Sequence, residues 1–114
     1  MTSNPLKGEV KINLGGTEYV ARLSIDSIIR LEEREGESLI KMASKLSEAD
    51  MGIGRLVSIL YMALRGGMHK DFSEHDIKTI VGDAGIASAM KACGEILTAS
   101  LMPEGADEGN VKAE

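Results

Sequence analysis

The sequence contains no tryptophan, a single cysteine, two prolines and only three aromatic side chains (Tyr19, Tyr61 and Phe72) in 114 residues. Each scarcity excludes something. Cys93 alone cannot close an intrachain disulfide, so the fold is held by packing, and the cysteine usage suits a reducing cytoplasm. With aromatics at 3%, the core must be built from Leu, Ile, Val, Met and Ala. No apolar run approaches the ~20 residues needed to cross a bilayer. The opening Met1-Thr2-Ser3-Asn4-Pro5 lacks the basic-then-apolar layout of a signal peptide. Basic residues number 13 against 18 acidic ones, a net charge of −5. That balance opposes attraction to nucleic-acid phosphates, and no basic patch with interleaved aromatics is present. Neither nucleic acid nor a membrane is expected as a partner.

What is present supports one domain. Hydrophobic residues make up 43% of the chain, enough for a single core at this length. Residues 1–102 read as one globular domain, with a hairpin over about 8–23 and helices over about 25–101. Residues 1–6 read as a frayed lead-in. Residues 103–114 are polar, acidic and Gly-bearing, and read as a disordered tail. The seven methionines fill core gaps without fixing a unique packing, or line an adaptable binding face.

The expected fold class is α+β: an N-terminal β-hairpin followed by about five helices in a small, mainly helical domain. Val10, Ile12 and Leu14 alternate with Lys11 and Asn13, the period of a half-buried strand. Gly15-Gly16 supplies the positive φ angles of a two-residue turn. Folding there sets Leu14 opposite Thr17, Ile12 opposite Tyr19 and Val10 opposite Ala21, all on one face. Ser24 or Asp26 caps a first helix with the stripe Ile25, Ile28, Ile29 and Glu32, and Leu31 at its edge; Gly36 ends it. The run Glu32-Glu33-Arg34-Glu35 reads as a wet face or an interaction surface. Ser38 caps a second helix, where Leu39, Met42, Ala43 and Leu46 follow the i, i+3, i+4, i+7 spacing. The third, about Gly54 to Arg65, is polar between Leu56 and Leu64 only at Ser58. A helix apolar nearly all round is a core helix or an interface seam. Leu56, Ile59, Leu60 and Met62 are its core or partner-facing positions. Gly66-Gly67 stops it. Ser73, with Asp76 three residues on, starts a fourth helix as a capping box. After Gly82, a last helix runs from about Ala84 to Leu101 on the stripe Ile86, Met90, Cys93 and Leu97.

Catalytic and ligand motifs are missing. Gly52-x-Gly54 precedes a helix instead of joining strand to helix, so it is no dinucleotide fingerprint. His69, Asp71, His75, Asp76 and Cys93 lack the paired spacing of a zinc site, and residues 71–76 fail the calcium-loop pattern. Cys93 lies on an apolar stripe, where a thiol is inert. No catalytic, cofactor or metal residues are assigned, and the chain is not expected to be an enzyme.

The ordered set Asn4-Pro5-x-x-Gly8-Glu9, Leu14-Gly15-Gly16, Leu31-Glu32 and Gly36-x-Ser38-Leu39 carries a resemblance. It continues in Ala63-Leu64-Arg65-Gly66-Gly67, His69 and Phe72-Ser73-Glu74. Over roughly residues 4–101 the chain resembles the gene-transfer-agent and phage family of small tail proteins. That family is grouped with tail assembly chaperones and also labelled tail tube protein. The resemblance implies a bacterial host's cytoplasm, with the tape-measure protein and the tail tube protein as partners; a homo-oligomer is compatible with it. Its leading implication is a chaperone that binds the tape-measure protein and assists tube assembly, with apolar grooves between the first three helices. The alternatives are a structural tail component retained in the particle and an unrelated protein–protein adaptor.

Overall fold

The alternation of Val10, Ile12 and Leu14 becomes strand β1 (Val10–Leu14) in the computed structural model, which describes residues 8–102. The expected lead-in 1–6 and tail 103–114 lie outside the described residues. Strand β2 (Thr17–Ala21) pairs antiparallel with β1 in the expected register: Leu14 with Thr17, Ile12 with Tyr19, Val10 with Ala21. Gly15 and Gly16 take φ of 64° and 91°, and Asn13 Oδ1 accepts from the Gly16 N–H at 2.9 Å. The turn therefore closes through local chemistry alone.

Five helices follow: α1 (Ile25–Glu35), α2 (Leu39–Ser47), α3 (Ile53–Gly66), α4 (Glu74–Ala84) and α5 (Ile86–Leu101). Their caps are mostly those expected. Ser24, rather than Asp26, caps α1 by accepting from the Ser27 N–H at 3.1 Å. Gly36 ends α1 at φ 71°, its N–H donating to the Glu32 carbonyl at 2.8 Å. Ser38 accepts from the Lys41 N–H. Ser73 and Asp76 form the complete capping box of α4.

The core gathers around α3. Leu56, Val57, Ile59, Leu60, Ala63 and Leu64 are all buried there, and burying each large side chain contributes about 2 kcal/mol. α3 packs against α1, α4, α5 and β2, while β1 lies over α5. Ile12, Leu14 and Ala21 close the core from the hairpin side.

Three expectations give way. The break between the last two helices falls at Gly85 (φ 98°), not Gly82. Gly82 is exposed and fits inside a helix, whereas the left-handed backbone at Gly85 cannot continue one. The buried face of α5 is Ala89, Ala92, Cys93, Ile96 and Leu97, with Met90 half-buried and Ile86 exposed. Small residues win this face because α5 lies close against β1 and α3. On α1 the correction is largest. Leu31 is the fully buried residue, while Ile25 is 72% exposed and Ile29 48%. The inward face carries Ser27, Ile28, Leu31, Glu32 and Glu35. Its two carboxylates have partners outside the helix, described below, so the inward face combines Leu31 and Ile28 with engaged carboxylates.

Candidate interaction surfaces

The end of α3 and the loop after it hold the outer edge of β2 at its C-terminal end. The Arg22 N–H donates to the Ala63 carbonyl at 2.9 Å, and the Val20 N–H donates to His69 Nε2 at 3.4 Å. His69 stacks on Phe72 with ring centroids 5.0 Å apart, and Tyr19 meets His69 edge-on at 5.4 Å. Gly66 and Gly67 approach so closely that a Cβ would drive into the carbonyl oxygens of Arg22 and Val20. Two of the three aromatics thus serve to fasten the hairpin to the helical body.

A charged clamp holds the α1–α2 connection. Arg55, at the start of α3, donates from Nε to Glu35 at 3.0 Å and also binds the Glu37 carboxylate. Lys45 reaches Glu37 at 2.7 Å. The Lys45 hydrogen bond, joined by Arg55, holds the Glu37 carboxyl below the usual glutamate range. Glu35, joined by Glu37, raises the Arg55 guanidinium further above its ordinary value. Glu32 Oε2 accepts from the Leu39 N–H at 2.8 Å and so caps the neighbouring helix. The acidic run is therefore divided: Glu32 and Glu35 are half-buried and engaged, Glu33 faces solvent, and the exposed Arg34 pairs with Glu74 of α4.

Hydrophobic surface remains outside the core. Ile25, Ile40 and Met68 are about 70% exposed (72%, 68% and 69%), and Ile25 and Ile29 stand one turn apart on α1. A cleft of about 370 Å³ runs between α2 and α5, lined by Ala43, Leu46, Met90, Gly94 and Leu97 with Ser47, Lys91 and Thr98. Its floor is made by small residues: Gly94 lies beside Leu46, where a Cβ would only touch Leu46 Cδ2 at 3.8 Å.

The residues expected at a partner seam separate by depth. Leu56, Ile59 and Leu60 are fully buried, and Met62 is half-buried against the core. The cleft lies between α2 and α5, not among the first three helices. Gly94, flanked by apolar turns of α5, was the one sequence signal for it. The candidate ligand residues are dispersed: Cys93 is in the core, its thiol donating to the Leu56 carbonyl at 3.6 Å, while Asp71, His75 and Asp76 are exposed. Burial pushes the Cys93 thiol far above its ordinary value. The backbone N–H and hydroxyl of Ser73 hold the Asp76 carboxyl low. Among the described residues no three of His, Cys, Asp and Glu gather as a metal site, and no helix is long and apolar enough to cross a membrane.

Residues 7–102 match the family described as phage tail tube protein, GTA-gp10. The chain belongs to this family. The match runs from the residue before Gly8 through the end of α5, so it takes in the hairpin, the clamp and the cleft together. It sets aside an accidental likeness, and with it the unrelated adaptor. It makes the protein a phage or gene-transfer-agent tail protein. No curated protein and no solved structure matches the chain.

Proposed function

We propose that the protein acts as a chaperone of tail assembly, binding apolar helices of the tape-measure protein and assisting formation of the tail tube. The observation that carries this reading is the cleft between α2 and α5. It is apolar, open, floored by Gly94 and Ala43, and bounded by Met90, a side chain able to re-pack around different partners. A helix laid in such a groove is held by side chains one turn apart. Among the described residues, by contrast, the sheet has two five-residue strands, little material for a wall built of extended strands.

Two measurements test the reading. The first is quantitative mass spectrometry of producing-cell lysate beside finished particles; abundance in the lysate and absence from particles is expected. The second is co-purification with the tape-measure protein, in which Gly94→Leu, which fills the cleft, is expected to abolish capture while the domain stays folded. The family description favours a second reading, a structural component of the tube. Many copies per particle would establish that role and overturn the chaperone.

A further inference from the structure

The two outer edges of the hairpin are treated differently, and the difference points to a partner. In an antiparallel ladder, opposite residues direct their main-chain groups the same way, alternately toward and away from each other. Val20 and Arg22 point theirs away from β1, toward His69 and Ala63. Lys11 stands opposite Val20, and Asn13 is two residues further along the same strand. The N–H and C=O groups of Lys11 and Asn13 therefore point outward from β1. Among the described residues nothing bonds to them, and both side chains are exposed. A strand edge in this state is a template for another strand.

We infer that this edge pairs with β1 of a second copy of the chain, antiparallel and two-fold symmetric about Ile12. The residues of β1 select this occupant. With Ile12 facing Ile12 of the other copy, Lys11 of each copy stands opposite Asn13 of the other. All four outward N–H groups then meet outward carbonyls, the arrangement of hydrogen-bonded pairs in a regular ladder. Val10 faces Leu14 across the junction, so the apolar side of the new sheet stays continuous over both cores. On the outer side each lysine meets an amide rather than a like charge, which would repel directly opposite. A register centred on Lys11 would set the two lysines against each other. The product is a four-stranded sheet in the order β2-β1-β1-β2, at both of whose ends His69, Ala63 and Gly67 cover the Val20–Arg22 stretch. That cover stands in the way of further strands, so the pairing favours two copies. One strand pair buries less than a standard interface, so the association is weak and concentration-dependent. It holds whether the protein leaves or stays in the finished tail.

Sedimentation velocity of the full chain over a range of concentrations tests this, with two substitutions at one exposed site. The unmodified chain is expected to move from monomer to dimer as concentration rises. Asn13→Lys sets like charges opposite each other twice in the dimer and is expected to weaken it about tenfold. Asn13→Asp keeps the acceptor for the Gly16 N–H, sets a carboxylate opposite each lysine, and is expected to tighten it several-fold. A chain that is monomeric at its highest soluble concentration overturns the inference. So does a dimer indifferent to both substitutions, which would be built from another surface.

Discussion

Two glycine pairs occupy this chain, and the same dipeptide does different work in each. Gly15-Gly16 is first a matter of conformation: both residues have positive φ, and Gly16 has open space where a side chain would be, although a Cβ on Gly15 would also crowd Ala84 at 3.2 Å. Gly66-Gly67 is a matter of room. Gly66 is helical and neither residue has a positive φ, yet a Cβ on either would strike the backbone of the Val20–Arg22 segment. Positive φ marks the first pair, and the second is crowded by backbone more than forty residues away. The lesson is that a glycine read as local punctuation can be a tertiary contact.

Substitution separates the two cases. Gly67→Ala should show the largest effect, because the obstructing atoms are main chain and cannot rotate away. A loss of about 3 kcal/mol in urea unfolding is expected, and hydrogen exchange should rise first at Val20 and Arg22. Native stability in that variant would remove the distinction. Gly16→Ala should cost ~1 kcal/mol, the strain of a left-handed alanine, and Gly16→Asn clearly less, since asparagine tolerates that region. Equal losses for alanine and asparagine would mean that room, not φ, governs the turn as well. Gly82→Ala should reverse the sign. It sits in α4 with nothing within reach of a Cβ, and a gain of about 0.5–1 kcal/mol in thermal or urea unfolding is expected from helix propensity.

The smallest effect is electrostatic. Glu37 is held below its ordinary range by Lys45 and Arg55, so the folded state binds its proton less readily than the unfolded chain does. The clamp's stabilisation is therefore present above the ordinary glutamate range and is lost as pH falls through the lower, folded value. Glu37→Gln should flatten that part of the curve of melting temperature against pH. An unchanged acid limb would show that the clamp contributes nothing through Glu37.

Much of the fold was legible because its signals are local. The hairpin register follows from a period of two closed by Gly15-Gly16, and Ser24, Ser38 and Ser73 announce helix starts by chemistry confined to three residues. The errors arise where a distant partner decides. Hydrophobicity alone points Ile25 and Ile29 inward, but the face that packs carries Leu31 and Ile28 with Glu35 bonded to Arg55 and Glu32 to Leu39, and the two isoleucines lie outside. Gly82 and Gly85 look alike in sequence, and only the path of the chain from α4 to α5 tells which must break. The cleft was illegible for the same reason. It exists because α2 and α5, forty residues apart, lie side by side, and Gly94 alone gives no direction.

The buried thiol of Cys93 has a practical consequence. It is the only cysteine in the chain, it is fully buried where α5 meets α3, and its proton is held toward the Leu56 carbonyl. A thiol reagent can reach it only when the packing around α5 opens. The rate of labelling is therefore a clock for that opening, built into the unmodified protein. Read with and without a bound helix in the neighbouring cleft, it would time how long α5 stays docked in each state.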